Sequence, residues 1–198
     1  MVGDYHDAEL VLEFASTVDV VTFDHEHVPE SILRQLAAAG HSVQPGPDAL
    51  QFAQDKLLMR ERLAELGVPM PEWAAVRGED EVQVFLDAHD GEAVLKTARG
   101  GYDGKGVRLI RDASESADWF RILDEDANGG ALLIEERVDF RRELAQLVAR
   151  RPSGQTALWP VVETVQKNGV CSEVFAPAPG AGERLAEVAA SLATRIAD

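Results

Sequence analysis

The chain has 198 residues, 35 acidic against 19 basic side chains, and a formal charge of −16. That length suits one domain or two small ones, and 45% hydrophobic with 27% charged residues is the composition of a folded globular protein, not a disordered one. A single cysteine excludes a disulfide framework and a multi-cysteine zinc site, and so acidic a chain is not built to coat nucleic acid, although a local cationic cluster could still hold a small anion.

No apolar run approaches the ~20 residues needed to cross a bilayer and no signal pattern opens the chain, so a cytoplasmic protein without a membrane partner is expected. In chain order, residues 18–23 read as a short β-branched strand, and residues 29–39 as a helix stopped by Gly40. Residues 41–43 read as a second short strand ahead of the Pro45-Gly-Pro47 turn. A long helix over residues 48–66 is expected next, closed by Gly67. Its apolar stripe is Phe52, Met59, Leu63 and Leu66, with Lys56 inside it, either snorkelling to solvent or pointing into a cleft toward an anion.

Residues 73–138 alternate strand, helix, strand, loop, strand, helix, strand, an α+β module with strands at 73–76, 93–97, 107–111 and 131–136. Its helices fall at 79–88 and 114–123, and Asn128-Gly-Gly130 is a turn. Three further strands are expected at 143–149, 157–165 and 170–175, the last pair joined by a Lys167-Asn-Gly169 hairpin turn. A final helix covers 183–197, and the chain holds no internal repeats.

The most informative segment is Lys96 through Val107. Gly100, Gly101, Gly104 and Gly106 put four glycines in seven residues, which lets backbone amides converge on phosphate oxygens, and Arg99 and Lys105 add charge. Lys96 ends the apolar run ahead of the loop, where a buried strand would aim it into a site. The loop is not a Walker motif: it is one residue short, and Gly106 stands where a magnesium-binding hydroxyl belongs. It is not a dinucleotide fingerprint either, because a strand and not a helix follows it. A flexible hairpin with incidental lysines is the plain reading; a lid over phosphates is the functional one. Glu135-Glu136 closing the apolar run 132–134 is likewise either a solvated strand end or a nucleotide hinge.

Taken together, Thr22-Phe-Asp-His-Glu-His-Val-Pro29, Gln54-Asp-Lys56, Leu95 to Gly106, Glu135-Glu-Arg-Val138, Arg142-Glu143 and Trp159 to Gln166 resemble the ATP-grasp enzymes. Within these they are similar to the 5-(carboxyamino)imidazole ribonucleotide synthases of purine biosynthesis. The resemblance runs over essentially the whole chain and implies a partial ATP-grasp fold, α/β and α+β. Its expected parts are the remainder of a pre-ATP-grasp domain (1–46), a connecting helix (47–72), a lid subdomain (73–138) and the start of a C-terminal subdomain (139–198). On the resemblance, Lys56 and Lys96 contact ATP phosphates. Gly101, Tyr102, Asp103, Gly104, Lys105, Gly106 and Val107 form the lid; Glu135, Glu136, Arg137 and Val138 form the adenine hinge. Glu143 holds the ribose, Gln166 lies near the nucleotide, and Glu26 with Tyr102 and Asp103 lines the ribonucleotide and bicarbonate side. Lys96, Tyr102, Asp103 and Lys105 are the catalytic candidates.

The reaction so implied joins bicarbonate to aminoimidazole ribonucleotide at the expense of ATP. Magnesium is the implied cofactor, its ligands expected beyond Asp198, and the implied assembly is a homodimer. The chain reads as a central fragment of about half the family length, inactive by itself. Two other readings stand beside this one: a different ATP-grasp carboxylate–amine ligase, and a non-catalytic nucleotide-binding or interaction fragment.

Overall fold

The computed structural model describes residues 2–101, 105–125 and 130–198, with the backbone alone for 124 and 125. The chain divides into two compact units, Met1–Met59 and Arg60–Asp198.

In the first unit, helix α1 (Ala8–Ala15) is an addition to the sequence reading; Asp7 caps it by accepting the Glu9 and Leu10 amides at 3.0 and 3.3 Å. Helix α2 (Glu30–Ala38) falls where expected and buries Ile32, Leu33 and Leu36. The two expected strands shrink to one parallel bridge, Val21↔Val43. Val21 alone of its run is buried; Val18 and Val20 face solvent, so β-branching there meets no partner. Ala15, Val21, Val28, Leu33, Leu36, Val43 and Leu50 close the core.

The expected long helix is two helices, α3 (Pro47–Gln54) and α4 (Lys56–Glu65). Asp55 breaks it with extended dihedrals (φ −132, ψ 112), and its carboxylate accepts the amides of Leu57 and Leu58 at 3.0 and 3.2 Å. A side chain that caps new amides competes with helix continuation. No residue of α4 is buried, so Lys56 opens a half-buried helix and does not sit in a buried stripe.

In the second unit, strands β1 (Trp73–Val76), β2 (Ala93–Thr97), β3 (Val107–Ile110) and β4 (Leu132–Glu136) form an antiparallel sheet in the order β1-β4-β2-β3. Side chains alternate across a strand, so each contributes to both faces. Val76, Ala93, Leu95, Ile110, Leu132 and Ile134 pack on one side against Val82, Phe85 and Leu86 of helix α5 (Glu79–Ala88) and Phe120 of helix α6 (Ala117–Glu125). The helix expected from residue 114 begins instead as a 3-10 turn, Ala113–Ser116. There Asp112 and Glu115 form a reciprocal capping box that tightens the entry. Of the expected 128–130 turn, residues 128 and 129 lie outside the described set.

Beyond the sheet, the two long strands expected at 143–149 and 157–165 are each divided. Strand β5 (Glu143–Ala145) pairs with β8 (Val162–Lys167), which pairs with β9 (Val170–Phe175), while β6 (Val148–Arg150) and β7 (Thr156–Leu158) make a separate hairpin. Pro160, lacking an amide proton, ends the ladder between β7 and β8. The Asn168-Gly169 turn has positive φ at both residues (54 and 79), the geometry that joins β8 to β9. Helix α7 (Glu183–Ala197) closes the chain as expected. Among the described residues no helix is long and apolar enough to cross a membrane.

Candidate functional site

The sheet face away from α5 and α6 carries the charge. Register sets Val94 opposite Glu135 and Lys96 opposite Leu133, which makes Lys96 and Glu135 diagonal neighbours on that open face. Glu135 is the more deeply buried of the pair: its side chain is 4% exposed, against 23% for Lys96. Its Oε2 accepts a hydrogen bond from the Lys96 ammonium, and its Oε1 accepts the Nε of Arg60, on α4, at 2.5 Å. The Arg60 Nη2 also reaches Oε1, and that side chain is 15% exposed. A buried carboxylate is tolerated when its lone pairs are taken up by cations, and here two share it. One negative and two positive groups leave the cluster a net unit positive, on an open face flanked by the partly exposed Val107 and Leu109. That arrangement suits an anionic ligand.

Arg60 was invisible in the sequence because one arginine on a polar helix resembles any other. Its helix register, four after Lys56, was the available signal. Glu135 likewise departs from a solvated strand end.

At the end of β4, Glu136 Oε1 accepts the Glu72 amide at 3.1 Å, while the Glu136 amide donates to the Glu72 carbonyl at 2.9 Å. Arg137 pairs with Glu92 at 2.7 Å, and that hydrogen bond holds the Glu92 carboxyl below its ordinary range. Val138 is half exposed, so the stretch 136–138 keeps its edge accessible.

The loop between β2 and β3 starts at Gly100 and Gly101, both with positive φ (66 and 82), and ends at the exposed Lys105 and buried Gly106. A Cβ on Gly101 would stand 2.6 Å from the Gly106 Cα, and one on Gly106 2.7 Å from the Thr97 Oγ1. Both glycines are therefore required by close approach at the base of the loop, and Gly101 by its positive φ as well. Tyr102, Asp103 and Gly104 lie outside the described residues.

Glu143 opens β5 opposite Thr164, and the exposed Gln166 follows two residues further along β8. In the first unit the Gln54 side chain donates to the carbonyls of Glu26 and Val28 at 2.8 and 2.9 Å, pinning the half-buried Glu26 segment. Among the described residues no group of three or more His, Cys, Asp or Glu side chains could hold a metal ion.

Comparison with known proteins adds to this geometry. A family model described as ATP-grasp domain matches residues 61–198, and one described as Ribonucleotide synthetase preATP-grasp domain matches residues 1–54. The chain is 50% identical over all of its 198 residues to an N5-carboxyaminoimidazole ribonucleotide synthase of Mycobacterium bovis, of which it covers 46%. It superposes at a TM-score of 0.86 and 27% identity on the crystal structure of the ADP complex of an N5-carboxyaminoimidazole ribonucleotide synthetase, covering 100% of this chain and 51% of that one. Against the synthetase from Thermus thermophilus the TM-score is 0.83 at 32% identity, over 98% of this chain and 51% of that chain. The chain spans about half the length of the curated relatives it matches.

Proposed function

The chain belongs to the ATP-grasp family, and on that footing we propose that the protein carboxylates 5-aminoimidazole ribonucleotide with bicarbonate and ATP. The products are 5-(carboxyamino)imidazole ribonucleotide, ADP and phosphate. The observation that carries this reading is the cationic Lys96 on the open face of the sheet, between the glycine loop and the end of β4. The 50% identity to a synthase of this name supports the choice of substrate.

In this reading a bicarbonate oxygen attacks the γ-phosphorus, releasing ADP and forming carboxyphosphate. The amine of the ribonucleotide then takes the carboxyl carbon and phosphate leaves. Lys96 and Lys56 hold phosphate oxygens, and the amides of 101–107, with Lys105, close over them and exclude water. Glu135 to Val138 border the adenine, with Arg137 held to Glu92. Glu143 takes the ribose hydroxyls, and Gln166 donates or accepts beside the nucleotide. Glu26, Tyr102 and Asp103 orient the ribonucleotide and bicarbonate.

Magnesium is part of the same proposal as an ion that would neutralise phosphate charge, but among the described residues no cluster of ligands would hold it, and no step here runs through it. A cytoplasmic homodimer is part of the same proposal.

The test is ADP release by the full-length protein. Release should require both the ribonucleotide and bicarbonate, and Lys96→Met should cost about 2–4 kcal/mol in kcat/KM for ATP, the scale of one lost charge-stabilising donor. ADP release indifferent to the ribonucleotide overturns the substrate assignment.

A further inference from the structure

We propose that Arg60 is a positioning residue for the nucleotide phosphates, acting as a standing counter-ion to Glu135 that frees Lys96 to engage the ligand. The inference rests on the ATP reading above and assigns a part to a residue outside every motif of the sequence.

The geometry separates the two cations cleanly. Arg60 takes Oε1 with both Nε and Nη2, and Lys96 takes Oε2 alone. Guanidinium is the group suited to a buried carboxylate, since its donors lie in a fixed plane and its charge is weakly hydrated. An ammonium on a flexible stem is the group that can move. If Lys96 were the only cation on Glu135, turning toward a phosphate would strand a carboxylate that is 4% exposed. Stranding a buried charge is strongly unfavourable, so such a lysine would stay where it was. With Arg60 in place, Glu135 stays compensated while Lys96 moves or shares its protons. The charge count agrees: the three groups sum to a net unit positive, whereas Lys96 and Glu135 alone are neutral and offer an anion little.

The experiment is a comparison of ATP and adenosine affinity in the full-length protein, read by displacement of a fluorescent ATP analogue and by calorimetry. Arg60→Met should weaken ATP by about tenfold or more, the scale of one hydrogen bond to a charged group, with Arg60→Lys recovering part of the loss. Adenosine should change by less than about twofold, the usual scatter of uncoupled substitutions. In a Lys96→Met background the same Arg60→Met change should add less than about twofold, because its route to the ligand has gone.

Should Arg60→Met alone fail to fold, Arg60→Met with Glu135→Gln removes the buried charge together with its partner. That double variant keeps the cluster's net charge and leaves Lys96 no buried carboxylate to compensate, so ATP affinity should recover well above that of Lys96→Met. Additive losses of Arg60→Met and Lys96→Met, equal losses for adenosine and ATP, or an ATP affinity in Arg60→Met/Glu135→Gln as low as that of Lys96→Met each overturn the inference. An undiminished ATP affinity in Arg60→Met, with Lys96→Met impaired, overturns it while sparing the ATP reading. A wild-type protein with no ATP affinity overturns both.

Discussion

Thr97, Gly101 and Gly106 meet at one point, and the contact decides what each position tolerates. The Thr97 Oγ1 is buried and has no hydrogen-bond partner among the described residues. It fills the space in which a Cβ on Gly101 or Gly106 would stand, 2.6 and 2.7 Å away. A buried hydroxyl without a partner costs about 1–3 kcal/mol, and forcing a methyl into a filled site costs about the same. Two substitutions a few ångströms apart should therefore act with opposite signs. Gly106→Ala should lower stability by about 1–3 kcal/mol. Thr97→Val, similar in shape but without the hydroxyl, should raise it by about 1 kcal/mol. Denaturant melts of the two variants read this directly, and a destabilised Thr97→Val would mean that the hydroxyl is satisfied in solution. The sequence shows four glycines and suggests phosphate-facing amides; that two of them are also fixed by packing needs the third dimension, because Thr97 gives no local sign of where its hydroxyl goes.

At the scale of elements, His89 ties three pieces of the second unit together. It caps the end of α5, stacks on Phe85 with ring centroids 4.0 Å apart, and reaches Glu72 Oε2 at 3.1 Å from Nε2. Glu72 in turn pairs its backbone with Glu136 on β4, so the ring links α5, the entry to β1 and the end of β4. Nδ1 meets the Phe85 carbonyl at 2.8 Å, and that bond, helped by Glu72 and Glu136, raises the imidazole above its usual value. Asp90, Glu92 and Arg137 face the same cavity. Because the folded value is the higher one, the stabilisation is fully present below the unfolded value of about 6.5 and is lost as pH rises through the raised folded value. Melting temperature should thus fall between about pH 6 and 8, and His89→Gln should flatten that limb. An unchanged slope in the variant would assign the pH dependence elsewhere.

Element types inside the four-stranded sheet were legible because apolar runs, turn residues and lengths agree there: β1, β2 and α5 lie on the residues expected. The failures are places where one residue overrides a pattern. Asp55 splits a helix whose periodicity runs straight through it, and Pro160 parts β7 from β8. The Lys96–Glu135–Arg60 cluster was half legible. Lys96 and Glu135 sit at the ends of apolar runs, whereas Arg60 lies 75 residues from its partner.

Across the whole molecule, the acidic excess is not shared in proportion to length. Residues 1–59 carry ten acidic and two basic side chains, a charge of −8, and residues 60–198 carry twenty-five against seventeen, also −8. The first unit therefore holds the same charge in fewer than half as many residues. Self-repulsion of that density works against a compact state. Its offsetting ion pairs include Arg34 with Glu30 and with Asp48, both exposed, and such pairs contribute about 0–1 kcal/mol each. Salt weakens both terms, but the repulsive one is the larger sum over the first unit. Raising ionic strength from about 0.01 to 0.1 M shortens the screening length from about 30 to 10 Å, which separates the like charges electrically. Native-state hydrogen exchange should then show protection rising with salt in α2 by more than in α5. Protection that falls in α2 as sodium chloride is added would mean that the Arg34 pairs outweigh the repulsion, and that the first unit is held by its few cations and not merely burdened by its acids.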